Sequence, residues 1–576
     1  MIKLFRYLKP YTWGVVAILG LVLLQSLSEL YLPTLMSDII NNGIVKSDTD
    51  YIWHTGGWML LVALGGSALA IAVSYLSAKI AMGFGRDIRN VIFRRVESFS
   101  LHEFDKIGGT ATLITRSTND VQQVQQLMIM ALRMVISAPM MMIGGIIMAV
   151  SRDATLSLVI VVGLPVLSGA ILLIARFGVP LFQSIQEKLD RLNLVVREGL
   201  TGIRVIRAFN RDDAEKVRFT QANRDLMIDN IKVNRIFGAM FPLMMLVMNF
   251  TTLAIIWFGG KRLGSGHGNV GDLHAFMQYV MQIMFSLIMV TMMFIFFPRA
   301  AVSAKRINEV LEVEPEIKDA AQVKQAAGQR GWVEFQNVTF SYPGAEAPAI
   351  EGISFKAGPG EVTAIIGGTG AGKSTLVSLV PRFYDIQQGA ILVDGVDVRE
   401  LAQADLRAKI GYVPQKALLF SGTIAENIRY GKEDASELEI RHAAEVAQAA
   451  EFIAGLKDGF DSPVAQGGTN LSGGQKQRLT IARALVRRPE IYLFDDNFSA
   501  LDFKTDAKLR AALKKETQDS TVIVVAQRVS TVMDADRIIV LDEGKVVGMG
   551  KHRELLQSCP VYREIAASQL AEEELA

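Results

Sequence analysis

Six runs of mostly apolar residues fill the first half of the chain, at about 12–36, 56–80, 127–150, 154–175, 237–259 and 275–297. Each is near the roughly 20 residues needed to cross a bilayer, and nothing comparable follows. A backbone in hydrocarbon must satisfy its own hydrogen bonds, so such runs fold as membrane-crossing helices. Composition agrees: 50% of the 576 residues are hydrophobic. A net charge of +2 gives no general polyanion-binding signal, and a single cysteine, Cys559, excludes an intramolecular disulfide or a Cys-based metal cluster. The N-terminus, MIKLFRYLKPYTWGVVAILGLVLL, has the basic-then-apolar layout of a signal peptide, but no small-x-small cleavage site follows. It is read as a retained first span.

Loop composition sets the expected orientation. The segments between spans two and three and between four and five are long and basic (Arg86, Arg89, Arg94, Arg95; Arg197, Arg204, Arg207, Arg211), whereas the turn at 151–153 is very short. The positive-inside rule then puts both termini and the long loops in the cytoplasm, with Lys3, Arg6 and Lys9 beside the first span. Lys261 and Arg262, on the other side, run mildly against this. The long loops carry apolar residues at helical spacing and lack Pro, which predicts helices projecting into water, with a bend near Gly199 and Gly202.

After KRINEVLEVEPEIKDA the pattern changes to short β-rich runs (WVEFQNVTFSY, EVTAIIG, EIYLFDD, TVIVVAQ, RIIVLDEGKVV) alternating with amphipathic helices. The expected fold is a six-helix, all-α transmembrane domain over 1–315 and an α/β P-loop nucleotide-binding domain over 316–576, with a largely parallel sheet.

Residues 367–374 read GGTGAGKS, follow an apolar strand and precede a helix, the context that confirms a phosphate-binding loop. Gly367, Gly368, Thr369, Gly370, Ala371 and Gly372 let backbone N–H groups wrap phosphates, with Lys373, Ser374 and Thr375 opening the helix. Lys373 reaches the outer phosphates and Ser374 ligates magnesium. LFDD ends a second strand, and Asp495 at its edge would hold the ion. LSGGQKQR brings Ser472, Gly473, Gly474 and Gln475 to the start of a further helix, which reads either as a plain N-cap or as a second anion cradle.

In this order and spacing, GGTGAGKST, YVPQ, LSGGQKQR and LFDD resemble the nucleotide-binding domain of an ATP-binding cassette (ABC) transporter. With six spans, RSTNDV and REGLTGIRVIRAFNR, the whole chain resembles an exporter half-transporter of the multidrug type. The resemblance implies ATP and Mg2+ as cofactors, with Tyr342 stacking on adenine and Gln415 sensing the γ-phosphate and the ion. It implies a dimer in which Ser472–Gln475 of one chain cover the ATP of the other and residues 499–502 (Ser499, Ala500, Leu501, Asp502) touch the partner domain. Coupling helices are expected near 98–108 and 203–212.

Three features depart from the family pattern. Asp496 stands where a Glu general base is usual; losing a methylene withdraws the carboxylate by roughly 1.5 Å, and a misplacement near 1 Å costs about 10²-fold. Gln527 stands in the place of the switch histidine and carries neither charge nor a transferable proton at neutral pH. Gln466 and Gly467 replace a frequent Glu-Arg pair. The chain therefore resembles the degenerate-site subunit of a bacterial heterodimeric exporter in the cell membrane. Asp496 and Gln527 are its weak catalytic positions, and its partner is a half-transporter with Glu, His and an altered signature. The other reading is a homodimer of low turnover.

Spans three, five and six are rich in Met (among them Met128, Met134, Met244, Met248, Met281, Met284, Met289 and Met292), and Phe241, Phe250, Phe285, Phe294 and Phe296 add aromatic surface. Flexible, polarisable side chains suit a cavity for varied apolar shapes, and ordinary helix packing is the alternative. Glu29 and Arg133 fall inside spans and should face the bundle interior or water. Glu29, with Met244, Met248, Met281, Phe285 and Met289, is the expected substrate surface. The expected partners are membrane lipids and small hydrophobic substrates, with no nucleic acid. Drug export and lipid flipping share every ATPase motif and stay open. A membrane-tethered ATPase that gates without pumping is disfavoured by the projecting helices, and a soluble chromosome-type ABC ATPase by the six spans.

Overall fold

The computed structural model describes residues 1–266, 268–325, 328 and 330–570, without the side chains of Ile2, Ala175, Val179, Phe182, Gln183, Met292, Phe294 and Ile295. It forms two compact units: Met1–Glu97 with Thr110–Val313, and Ser98–Gly109 with Glu314–Ala576.

In the first unit, six helical segments among the described residues are long and apolar enough to cross a membrane. The principal helices are α1 (Thr12–Asp38), α2 (Thr49–Glu97), α4 (Val121–Arg152), α5 (Leu158–Thr201), α7 (Asp212–Gly238), α8 (Met240–Gly264) and α9 (Val270–Glu312). At 1.5 Å per residue α2 is about 70 Å long, against a hydrocarbon core of about 30 Å. It therefore runs well out of the membrane, as the helical spacing of the basic loops predicts. The short helix α6 (Ile203–Ala208) buries none of its residues.

Polar contacts fix how the apolar helices pack. Gln125 of α4 is buried against Gly85 of α2, where any side chain would overlap it, and donates to the Ala81 carbonyl at 3.2 Å. Asp153 closes the tight turn after α4 by accepting from the N–H groups of Thr155 and Leu156, and its other oxygen accepts from Arg262 at 2.8 Å. Asp272, in the first turn of α9, accepts from Ser37 of α1 at 2.9 Å and Arg152 of α4 at 2.8 Å.

In the second unit the strands are β1 (Val333–Phe340), β2 (Ile350–Ala357), β3 (Val362–Gly367), β4 (Gln388–Val393), β5 (Val396–Asp397), β6 (Ile410–Val413), β7 (Gly422–Thr423), β8 (Pro463–Val464), β9 (Ile491–Asp495), β10 (Thr521–Val525), β11 (Arg537–Asp542) and β12 (Lys545–Gly550). Six form one sheet in the order β12-β11-β3-β10-β9-β6, and four an antiparallel sheet in the order β2-β1-β4-β5. Within the larger sheet β11, β3, β10, β9 and β6 are parallel, and β9 and β10 are buried at every position. Strands covered on both faces read as continuous apolar runs, as these do. Helices α10 (Lys373–Leu379), α11 (Ile424–Arg429), α12 (Glu437–Val446), α13 (Gly473–Val486), α14 (Phe503–Glu516) and α15 (Pro560–Ala567) complete the α/β unit.

Residues 98–109 pack with this second unit. Their helix α3 (Leu101–Lys106) starts at a Ser100 capping box, and the buried Glu103 accepts from the Glu316 N–H at 3.0 Å. That bond ties the segment to the stretch of chain leading into the α/β unit.

Asp272 joins three helices, so its loss should cost more than a surface charge. We expect Asp272→Ala to destabilise the purified protein by about 1–3 kcal/mol, because the half-buried Arg152 loses its carboxylate partner. Thermal melting in detergent measures this, and adding Arg152→Leu should recover part of the loss.

Candidate nucleotide site

Four parallel strands deliver the site from one edge of the sheet. The phosphate loop leaves β3, Asp495 ends β9, and Gln415 and Gln527 lie two residues beyond β6 and β10. Ligands of open α/β sheets bind at this carboxyl edge.

Between β3 and α10 the backbone turns through Gly370 (φ 84°) and Gly372 (φ 89°). A side chain at Gly372 would come within 2.6 Å of the Ala349 carbonyl, so both conformation and space demand glycine there. Lys373 is buried and donates to the carbonyls of Gly367 at 2.9 Å and Gly368 at 2.6 Å. Burial lowers its pKa, with Asp496 and Asp495 opposing the shift. Ser374 donates to Asp495 Oδ1 at 2.8 Å. The Thr375 and Tyr342 hydroxyls share a hydrogen bond of 2.9 Å, and the Tyr342 ring meets Phe340 and Tyr384 edge-on.

Asp496 lies in the left-handed region (φ 50°), which Asp tolerates better than most residues, and its N–H bonds the Val525 carbonyl. Its Oδ2 accepts from Gln527 Nε2 at 2.8 Å and from Gln415 Nε2 at 3.3 Å. Burial pushes the Asp495 and Asp496 carboxyls above their usual range, opposed first by the bond from Ser374 in one and from Gln415 in the other. Of the three expected metal ligands, Ser374 and Asp495 are joined, whereas Gln415 sits on Asp496. The hydroxyl and carboxylate are hard oxygen donors of the kind Mg2+ takes alongside substrate phosphates, so the pair fits the ion. Among the described residues no cluster of three or more acidic, His or Cys side chains offers an alternative metal site.

The signature residues form a separate feature. Ser472 caps α13, accepting from the Gln475 N–H at 3.3 Å while its own N–H donates to Gln475 Oε1 at 2.9 Å. Gly474 lies against the Ala500 carbonyl, so the 472–475 and 499–502 segments are neighbours within one chain. Ser499 and Ala500 are exposed, Leu501 is buried, and Asp502 caps α14.

Two residues escaped the sequence reading. Asn497, fully buried, donates to the Pro414 carbonyl at 2.8 Å and so ties the end of β9 to the segment carrying Gln415. Arg528 donates to the Ser499 carbonyl at 2.9 Å and lies over the Phe503 ring. Each lies one residue beyond a run read from the sequence, LFDD and TVIVVAQ, and neither run reveals the partner.

The expected substrate surface divides. Met244 and Met248 are buried with Ile255 and Met284 in the helix packing, the alternative weighed for the Met-rich spans. Met281, Phe285 and Met289 are exposed and follow one face of α9 at a spacing of four. The side chains of Met292 and Phe294 lie outside the described residues. Glu29 is half-buried, accepts from Gln25 at 2.9 Å, and its backbone carbonyl accepts from Gln282 at 3.2 Å. Arg133 donates to the Ser74 carbonyl at 3.3 Å. An apolar groove of about 1080 Å³ lies between α5 and α8, lined by Val162, Val166, Leu246, Phe258 and Phe250, the last among the aromatic residues read from the sequence as adding apolar surface.

Comparison with known proteins gives two family matches: the ABC transporter transmembrane region over residues 15–288 and the ABC transporter family over 350–499. An uncharacterized ABC transporter ATP-binding protein of Mycobacterium tuberculosis is 45% identical over 568 residues, 98% of this chain and 97% of that protein. An ATP-dependent lipid A-core flippase of Desulfotalea psychrophila is 31% identical, covering 96% of each chain. A bacterial Atm1-family ABC exporter solved with ATP bound superposes with a TM-score of 0.79 at 26% identity, covering 98% of this chain and 99% of that one.

The raised carboxyls give the site a pH signature. The folded chain holds these protons more tightly than the unfolded chain, so their contribution to stability is greatest at acid pH and is lost as pH rises through the raised folded values. A divalent cation needs Asp495 ionised, so where that carboxyl is protonated its binding must displace the proton. We expect the half-saturating Mg2+ for binding a fluorescent ATP analogue to rise as pH is lowered toward the raised Asp495 titration. Asp496→Asn should flatten that dependence by removing the neighbouring negative charge. An Mg2+ requirement independent of pH would contradict the assignment.

Proposed function

The chain belongs to the ABC transporter family as an exporter half-transporter, and on that premise we propose that it is the slow-hydrolysing subunit of a heterodimeric exporter of hydrophobic or amphipathic molecules. ATP-driven export by a dimer of half-transporters follows from the family. The subunit's particular role is supported by one observation above the others: Asp496 accepts hydrogen bonds from two neutral amides, Gln415 and Gln527. A general base must present a free lone pair to the attacking water at the right distance. Here the carboxylate is a methylene short of the usual Glu, and one of its oxygens is already engaged twice. Gln527 donates a hydrogen bond but cannot shuttle a proton.

Binding is unimpaired on this reading. The phosphate loop keeps its glycines and Lys373, and Tyr342 stands beside Thr375 for an adenine to stack on. Ser374 and Asp495 would hold Mg2+, which supplies positive charge to the phosphates when bound. The capped start of α13 is available to a second chain's ATP, so the intact Ser472–Gln475 would complete the partner's faster site. Basic loops support a cytoplasmic nucleotide-binding unit and cytoplasmic termini in a bacterial cell membrane. The exposed row Met281, Phe285 and Met289 supports an apolar substrate, with Glu29 as a candidate for attracting cations.

A lipid flippase is the second reading, favoured by relatives named as lipid A-core flippases at 30–31% identity. Uptake of a fluorescent cationic drug into inside-out liposomes, set against translocation of a labelled lipid, separates the two. If Glu29→Gln leaves cation transport unchanged, the Glu29 assignment is wrong.

The hydrolytic proposal has its own test. The chain purified alone should hydrolyse ATP slowly, and brisk turnover by a homodimer would defeat the heterodimer reading. In the two-subunit complex, Asp496→Asn should lower kcat less than about twofold, whereas removing the partner's base should cost about 10²-fold or more.

A further inference from the structure

The segment after β10 is held from three directions. Gln527 reaches Asp496, Arg528 reaches the Ser499 carbonyl, and the third hold comes from the far end of the chain. Gln569, just past α15, grips the backbone with both ends of one amide. Its Oε1 accepts the Val529 N–H at 2.8 Å, and its Nε2 donates to the Gln527 carbonyl at 2.9 Å. A side-chain amide that donates to one residue and accepts from the next but one imitates a strand neighbour, fixing the backbone on both sides of Arg528.

This grip is delivered by an anchored element. Tyr562 and Ala566 of α15 are fully buried, the Tyr562 hydroxyl bonds His552 at 2.7 Å, and Leu570 packs on the cluster that contains Ala526 and Val529. Gln569 itself is exposed, where water would satisfy a free amide equally well. Its two bonds therefore add little to overall stability. What they restrict is the segment that carries the Gln527 side chain.

We infer that Gln569 is a positioning residue for the nucleotide site, holding the Gln527 backbone so that the Gln527 amide faces Asp496 and the γ-phosphate of bound ATP. The inference rests on the reading of this site as one that retains ATP. Releasing the grip lets Gln527 swing away and shortens nucleotide residence without touching the phosphate loop.

The test follows release of a fluorescent, non-hydrolysable ATP analogue with Mg2+ from the full-length protein in its dimeric assembly. Gln569→Ala and Gln527→Ala should each speed release by about threefold to tenfold. Their combination should be no faster than Gln527→Ala alone, because Gln569 acts through Gln527. Gln569→Glu, which keeps the acceptor for Val529 but loses the donor to the Gln527 carbonyl, should also release faster than wild type. Unchanged release in Gln569→Ala, or additive effects in the double variant, overturns the inference. So does a lower melting temperature of nucleotide-free Gln569→Ala, since the contact would then be structural. Because the analogue is not hydrolysed, rapid ATP turnover by the wild-type chain alone would defeat the slow-site reading while leaving the release cycle to judge Gln569.

Discussion

The parallel register of β6, β9, β10 and β3 brings together four segments that are far apart in sequence. Val413 lies opposite Phe494, Asp495 opposite Val525, and Val525 opposite Ile365, so the strands end level with one another. Everything at the site depends on that shared edge. Ser374 meets Asp495, and Gln415 and Gln527 meet Asp496, because the loops that carry them leave neighbouring strands at the same height. The strands are apolar and buried, so the edge is rigid and its side chains do not shift far to compensate for a change of length. A one-methylene difference at Asp496 is therefore a difference in where a carboxylate can act.

The membrane unit meets the opposite problem, since its helices are apolar on most faces and hydrophobicity alone does not choose their packing. Sparse polar contacts choose it. Gln125 fits the space left by Gly85, Asp272 gathers Ser37 and Arg152, and Asp153 takes Arg262. These groups lie at or just beyond the span ends, where a partly buried polar or charged group is costly when left unpaired, which makes each pairing selective for one arrangement.

The sequence and the structure part company where information is held in pairs and not in runs. Six spans and a parallel α/β unit are legible because apolar length and alternation are local properties, and the phosphate loop is legible because its spacing is its function. The burial of Met244 and Met248 was not legible, because a helix apolar on all sides does not announce which side its neighbours cover. The packing of 98–109 with the α/β unit includes a bond from the Glu316 N–H to Glu103, between residues far apart in the chain, which no local pattern reveals. Gln569 lies outside every motif, and nothing in SQLAEEELA suggests that its amide would reach the segment beside Gln527.

On the slow-site reading, Asp496 and Gln527 are better regarded as one unit than as two substitutions. The Gln527 amide donates and the Asp496 carboxylate accepts, while burial raises the carboxyl and the bond from Gln415 is the first to oppose it. A Glu in place of Asp496 would carry its carboxylate a methylene farther, past the point where Gln527 and Gln415 now converge. A His in place of Gln527 would bring a titrating ring to a carboxylate too short to meet it in the same way. Changing either residue alone leaves the other mismatched in length or in hydrogen-bonding capacity. The complementarity of the pair is what makes a maintained, slow site a better physical account of this arrangement than independent loss at two positions.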